Sequence, residues 1–143
     1  MILNQLIPLA YHLREAEDKT LHENEKYYFS KRAVQGLKNA KKNMKRGLWQ
    51  DLAGPCLTIT SHLAKVSLNS TDPVLLVSPE DELYRRFTPL EAARIQSFPD
   101  WYFFTGNTRN QFKQIGNAVP PLLGGVFAEQ FKNILDRIGQ DGK

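Results

Sequence analysis

The sequence has very little of what builds disulfides or metal centres. It contains one cysteine, Cys56, so no intramolecular disulfide is possible, and its three histidines are scattered along 143 residues. A structural zinc site needs more soft ligands than one cysteine and isolated histidines supply. We therefore expect neither a disulfide framework nor a metal site.

Long apolar runs are also missing. No stretch approaches the roughly 20 residues that span a bilayer. The mildly apolar start, residues 1–10, lacks the basic beginning and the small-residue cleavage site of a signal peptide. A length of 143 residues suits one ordinary domain. These features predict a soluble cytoplasmic protein.

Acidic residues are absent between Lys31 and Arg46, although the net charge of the whole chain is only +4. Ser30 is suited to cap a helix that runs from there to about Met44. Such a basic block suits a phosphate backbone, and it equally suits a solvated helix face. The basic residues are Lys31, Arg32, Lys38, Lys41, Lys42, Lys45 and Arg46.

Short elements are predicted along the rest of the chain. Residues 57–60 and 74–77 are candidate strands. Thr88-Pro89-Leu90-Glu91 is a capping box with proline at the first helical position, and it predicts a helix to about Gln96. Another helix is expected over residues 108–115, with Gly116 as its stop.

A last helix is expected from Pro120 or Pro121 to near Gly139. Its apolar residues recur every three or four positions and form a wide face. Aromatic residues at 101–104 and 112 also need burial. The C-terminal third is therefore more apolar than a free-standing domain requires, which indicates a partner surface. The apolar face consists of Leu122, Leu123, Val126, Phe127, Phe131, Ile134, Leu135 and Ile138.

Two blocks of sequence carry a family resemblance. Residues 85–100 read RRFTPLEAARIQSFPD, and residues 111–122 read QFKQIGNAVPPL. Together they closely resemble motifs IX and X of the DNA cytosine-5 methyltransferases, in the family's order and at its spacing. Upstream, residues 55–60 (PCLTIT) resemble the threonine–aliphatic element of the target-recognition region, and residues 28–30 with the basic block resemble its start.

Other elements of that family are missing from the sequence. It has no glycine-rich methyl-donor loop, no Pro-Cys-Gln nucleophile loop, no Glu-Asn-Val and no Arg-x-Arg. Cys56 follows a proline, but Leu57 and Thr58 come next, so we expect a buried structural cysteine. The resemblance therefore implies the small subunit of a split bacterial type II modification methylase, inactive alone. A truncated fragment of a one-chain enzyme is the alternative.

The resemblance also implies the architecture. We expect an α/β chain with a small mixed recognition domain of short strands and loops. C-terminal helices would then complete the Rossmann-like, S-adenosylmethionine-dependent methyltransferase domain of a catalytic partner. The expected division is an N-terminal segment (1–26), a target-recognition region (27–84), the motif IX region (85–100) and motif X with the last helix (101–143). Such a protein would work in the cytoplasm, on the nucleoid.

Site residues follow from the same resemblance. Thr58 matches the family threonine that contacts the phosphate at the target nucleotide, a contact that fixes register without reading sequence. Two loops around it would read double-stranded DNA, because arginine and glutamine are suited to guanine and adenine. Solvent-exposed loop residues are the alternative. The loop residues are Arg46, Trp49 and Gln50, followed by His62 and Lys65.

Motif IX is expected to organise the recognition region through Arg85, Glu91, Arg94 and Gln96. Glu91 and Arg94, three apart on one helix, would pair with each other or bridge elements. Motif X would line the S-adenosylmethionine pocket with Asn117, Ala118 and Val119, and Gly116 would allow close backbone approach. Asn117 is also suited to cap the last helix. No residue of this chain is expected to be catalytic.

Three classes of function compete. The chain is part of a methyltransferase, a non-enzymatic DNA-binding remnant, or a structural protein with no DNA role. The intact Gly116-Asn117-Ala118-Val119-Pro120 favours the first class, because a pure DNA-binding protein has no use for a cofactor wall.

Overall fold

In the part of the chain that the structure describes, helices accompany a small antiparallel sheet, which confirms the mixed character expected from the sequence. The computed structural model describes residues 25–39, 52–64 and 74–141. The elements are a 3-10 turn at Glu25–Tyr27, helix α1 (Lys31–Lys38), strands β1 (Leu75–Ser78) and β2 (Leu83–Arg85), and helices α2 (Pro89–Ile95), α3 (Thr108–Asn117) and α4 (Pro121–Asp141).

Strands β1 and β2 form a hairpin. Leu75 lies opposite Arg85, and Leu76 lies opposite Tyr84, with a bulge between Leu76 and Ser78. The strand expected at residues 74–77 is thus confirmed, and its observed bounds, Leu75–Ser78, are shifted by one residue. The other edge of β2 is also occupied, because Phe29 N–H donates to the Tyr84 carbonyl at 2.9 Å. This contact joins the first described segment to the hairpin.

Helix α1 begins as expected. Ser30 Oγ accepts a hydrogen bond from Ala33 N–H at 3.2 Å, and buried Val34 packs with Phe29, Val74 and Tyr84. The described helix ends at Lys38, with Asn39 in a turn, and the predicted end at Met44 lies outside the described residues. Lys38 forms an ion pair with Glu82 at the hairpin tip, which ties the end of the helix to the sheet.

Residues 57–60 do not form the expected strand. They have no regular secondary structure, and only Ile59 among them is buried. The backbone of Thr60 and Ser61 lies against Gly116 of α3. This side of the segment therefore faces a helix, and a helix cannot supply the repeating hydrogen bonds that a strand needs.

The core joins residues that are far apart in the sequence. Phe87, Phe112 and Ile115 have no exposed surface. The core includes parts of the recognition region, motif IX and motif X, so these parts pack as one body in the described chain. The fourfold division of the sequence stays a prediction. The other buried core residues are Tyr27, Ile59, Leu63, Leu75, Ala92 and Ala93.

Helix α2 has the predicted capping box, and the Glu91 carboxylate of this box also binds Arg85. Glu91 N–H donates to Thr88 Oγ1 at 3.2 Å, and Thr88 N–H donates to Glu91 Oε2 at 2.9 Å. Arg85 donates to both oxygens of the same carboxylate, each at 2.8 Å. Glu91 is 1% exposed. The expected alternative in which Glu91 pairs with Arg94 is wrong, and Glu91 instead bridges the hairpin to α2.

Helices α3 and α4 begin close to the expected residues. Asn107 caps α3 by accepting from Asn110 N–H at 3.0 Å. Helix α3 continues through Gly116 to Asn117, so the prediction that Gly116 stops it is wrong. Helix α4 begins at Pro121 and ends at Asp141, close to Gly139. Every residue from 125 to 139 is exposed. Within the described ranges, no helix is long and apolar enough to cross a membrane.

Glu91→Ala is expected to lower the free energy of unfolding by about 3–5 kcal/mol, because it leaves the Arg85 charge buried without its partner. Urea unfolding followed by circular dichroism measures this change. Glu80→Ala, at the exposed hairpin tip, is the control and should change the free energy by less than about 0.5 kcal/mol. Equal effects of the two substitutions would contradict the structural role of the buried pair.

Candidate functional site

The recognition segment, residues 55–64, holds two of the expected DNA-contacting residues. Ile59 and Leu63 are 5% and 2% exposed and anchor the segment in the core. Thr58 and His62, which precede them, are exposed. A threonine hydroxyl and an imidazole at the surface are both able to bond to a nucleic acid. Arg46, Trp49, Gln50 and Lys65 lie outside the described residues, and their roles stay predictions.

The cofactor edge, Asn117 to Val119, lies between α3 and α4. Asn117 is the last residue of α3 and is exposed, so it does not cap α4, which begins four residues later. Ala118 is half-buried, and Val119 is 65% exposed. An exposed amide can both donate and accept hydrogen bonds, and Val119 adds apolar surface beside it. These residues fit one wall of a site for a ligand with polar and apolar parts.

Gly116 places the cofactor edge next to the recognition segment. A Cβ atom at Gly116 would lie 2.2 Å from the Thr60 carbonyl carbon and 2.3 Å from Ser61 N. Only glycine permits so close an approach of the two backbones. The expected close approach at Gly116 is therefore present, but it is made to Thr60 and Ser61 of the same chain.

Motif IX residues hold neighbouring parts of the chain in place. Arg94 donates to both carboxylate oxygens of Asp100, at 2.7 and 2.6 Å, and these hydrogen bonds lower the pKa of Asp100. The pair joins α2 to the turn that follows it. Gln96 Nε2 donates to the Ile115 carbonyl at 3.2 Å, close to the cofactor edge.

Arg86 is a positioning group that the sequence did not single out. Its guanidinium donates to the carbonyls of Ala64, at 3.3 Å, and Lys26, at 3.1 Å. Desolvation by burial lowers its pKa. Arg86 thus fixes the end of the recognition segment against the 3-10 turn. The signal in the sequence was the pair Arg85-Arg86. Arg86 directly follows β2, and when the chain continues a strand, successive side chains point to opposite sides.

Cys56 does not have the surroundings of a nucleophile. It is half-buried and packs against the core. Desolvation raises the pKa of its thiol to about 11, so the thiol stays protonated at neutral pH. Within the described ranges, no group of three or more potential ligands could hold a metal ion.

An open cleft of about 450 Å³ lies between the 3-10 turn, α2 and the loop after Asp100. Its aromatic lining comes from Tyr27, Tyr102, Phe103 and Phe104. Among the described residues expected to contact DNA or cofactor, namely Thr58, His62 and Asn117 to Val119, none lines this cleft. The candidate site is therefore the exposed surface formed by the recognition segment and the cofactor edge.

Comparisons with known proteins agree on one family. The profile described as C-5 cytosine-specific DNA methylase matches residues 5–133. Type II methyltransferase M.AplI of Arthrospira platensis is 44% identical over 91 residues, which cover 64% of this chain and 25% of that protein. Type II methyltransferase M.Bpa9945I of Bacillus paralicheniformis is 40% identical over 79 residues, 55% of this chain and 16% of that protein.

A plant protein shows the same likeness. DNA (cytosine-5)-methyltransferase 1A of Oryza sativa subsp. japonica is 47% identical over 58 residues, 41% of this chain and 4% of that protein. The chain thus spans a quarter or less of the length of each of these three relatives. No solved structure matches the chain significantly.

Gly116→Ala is expected to lower the free energy of unfolding by about 1–3 kcal/mol, because the new methyl group meets backbone atoms that cannot rotate away. Chemical denaturation measures the effect. Gly36→Ala is the matched control, since a Cβ at Gly36 of α1 would have nothing within 4 Å. Gly36→Ala should raise the free energy of unfolding by about 0.5–1 kcal/mol. A neutral or stabilising Gly116→Ala would contradict the close contact.

The Cys56 thiol is expected to react with 5,5′-dithiobis(2-nitrobenzoic acid) roughly 100-fold more slowly at pH 8 in the folded chain than in urea, because burial keeps it protonated. The raised pKa of Cys56 also makes the free energy of unfolding depend on pH. The contribution of protonated Cys56 to the free energy of unfolding is fully present below pH 9.0, the pKa of the thiol in the unfolded chain. It is lost as the pH rises towards about 11, the pKa in the folded chain. Equal rates in folded and unfolded chains would contradict this.

Proposed function

The chain belongs to the C-5 cytosine-specific DNA methylase family, and on that premise we propose that it supplies DNA recognition and one wall of the S-adenosylmethionine site to a DNA (cytosine-5-)-methyltransferase. The enzyme methylates C5 of a cytosine in a specific duplex sequence. The glycine-rich loop and the nucleophilic cysteine, which this sequence lacks, come from a catalytic partner chain carrying the earlier motifs.

The contact at Gly116 is the observation that carries this proposal. It brings the recognition segment and the cofactor edge onto one packed body, with the Thr60 and Ser61 backbone against the end of α3. A methyltransferase must hold its DNA and its methyl donor in a fixed relation, because misplacement of reacting groups by an ångström is costly in rate. A DNA-binding remnant needs no such relation.

Helix α4 supports the proposed partner. Leu122, Phe131 and Leu135 are 70%, 64% and 67% exposed. Continuous exposed apolar surface marks a protein contact in a water-soluble protein. Because the cofactor edge directly precedes α4, a partner that covers this face is also brought against Asn117 and Val119. We infer that this partner is the catalytic chain, because a chain in that position would supply the rest of the cofactor site.

The proposed roles divide among residues on the described surface. S-adenosylmethionine supplies the methyl group when it is bound. Thr58 donates its hydroxyl to a phosphate and fixes register, while exposed His62 lies beside the bases. Exposed Lys31 and Arg32 of α1 hold the backbone by charge. Asn117 binds the amino acid end of the cofactor. The target base must leave the duplex stack to be reached.

We expect methyl transfer from labelled S-adenosylmethionine to mixed-sequence duplex DNA only when this chain is mixed with a catalytic chain carrying the earlier motifs. The reason is that each chain holds part of the site. Methyl transfer by this chain alone would overturn the proposal. DNA binding without transfer in any mixture would favour the DNA-binding remnant, and restored activity only on covalent fusion would favour a fragment of a one-chain enzyme.

Substitutions on the two surfaces refine that assay. Asn117→Ala should raise the KM for S-adenosylmethionine and leave the KM for DNA unchanged. Phe131→Asp should abolish assembly, because it places a charge in the apolar contact. Lys132→Ala, at an exposed neighbouring position of α4, is the control and should assemble normally.

A further inference from the structure

Two adjacent side chains at the end of α2 reach both ends of the connection between α3 and α4. Gln96 Nε2 donates to the Ile115 carbonyl at 3.2 Å, in the last turn of α3. Ser97 Oγ accepts from Leu122 N–H at 3.1 Å, in the first turn of α4. The cofactor edge lies between these two attachment points.

Ser97 occupies a position that normally favours glycine. Its φ is 63°, in the left-handed region. Ser97 N–H donates to the Arg94 carbonyl and Phe98 N–H donates to the Ala93 carbonyl, both at 2.9 Å. This pattern is a Schellman motif, whose left-handed residue is usually glycine because a Cβ is strained there.

The Ser97 hydroxyl has a use that glycine could not supply. The first N–H groups of a helix have no partner within the helix. Pro121 has no N–H at all, so Leu122 carries the first donor of α4. Ser97 accepts that donor from a different helix, which ties the start of α4 to the end of α2. The strained backbone at Ser97 therefore coincides with a contact between elements.

We propose that Gln96 and Ser97 are positioning residues that set where Asn117 and Val119 lie relative to the cofactor. This inference rests on the proposed function. Neither residue contacts the ligand. Gln96 fixes the chain before the cofactor edge, and Ser97 fixes it after the edge. Loss of either hydrogen bond lets the intervening residues shift, which weakens cofactor binding and leaves the recognition segment in place.

The test compares Ser97→Ala with Ser97→Gly in the assembled enzyme. Both remove the hydroxyl, but only glycine relieves the left-handed backbone, so Ser97→Gly should resist urea better than Ser97→Ala. Both should raise the KM for S-adenosylmethionine equally, by at most roughly 10-fold, the full effect of losing one hydrogen bond. The kcat and the KM for DNA should change less than about 2-fold.

Amide hydrogen exchange of this chain gives a second readout that needs no cofactor. Exchange at the amides of Ala118, Val119 and Leu122 should accelerate in both Ser97 variants and in Gln96→Glu, which replaces the donor with an acceptor facing the Ile115 carbonyl. Ser78→Ala removes a hydroxyl that accepts from Asp81 N–H in the hairpin. As the control, it should leave exchange at the Ala118, Val119 and Leu122 amides unchanged.

The outcomes separate this inference from the proposed function. If Asn117→Ala raises the cofactor KM while the Ser97 and Gln96 variants leave both KM and exchange at wild-type values, the positioning role is wrong and the proposed function stands. If the cofactor KM follows stability, so that Ser97→Gly behaves like wild type, Ser97 is only structural. If Asn117→Ala has no effect on the KM, the cofactor role itself fails.

Discussion

The buried carboxylate of Glu91 is the interaction on which the described fold depends. It accepts two hydrogen bonds from Arg85 and one from Thr88 N–H, and so joins the hairpin, the turn after it and the first turn of α2. A carboxylate that is 1% exposed is tolerated only because its charge and its lone pairs are satisfied. Helix α2 has seven residues, too few to form alone. Its orientation is therefore set by this ion pair and by the core beneath it.

That orientation determines the positions of the two surfaces proposed to contact DNA and cofactor. Phe87 precedes the cap and Ala92 and Ala93 follow it, and all three enter the core with Phe112 and Ile115. Helix α3 is thereby held against the same body, and its last turn brings Gly116 to the recognition segment. The proposed DNA contacts and the proposed cofactor contacts thus rest on one core, although about 60 residues separate them in the sequence.

Local chemistry was predictable from the sequence, and contacts between distant segments were not. The capping box at Thr88, the Ser30 cap and the start of α4 at Pro121 all depend on neighbouring residues, and each is confirmed. The prediction of a strand at residues 57–60 is wrong. Apolar and polar residues alternate there, but this pattern does not reveal that a helix lies beside the segment. Pairing of Glu91 with Arg85 required knowledge that β2 leads into α2. The role of Ser97 depends on a positive φ, and a serine in the sequence does not predict that conformation.

The contact between Gly116 and the Thr60–Ser61 backbone has a consequence for how such a protein could change over time. It joins backbone to backbone, so it does not depend on which side chains residues 58 and 62 carry. Substitutions at the exposed positions of the recognition segment leave the anchoring of the segment intact. Substitutions that alter the proposed DNA contacts can therefore arise without a loss of fold, while a side chain at Gly116 would displace the backbone of Thr60 and Ser61. The proposed DNA contacts and the stability of the segment thus depend on different atoms.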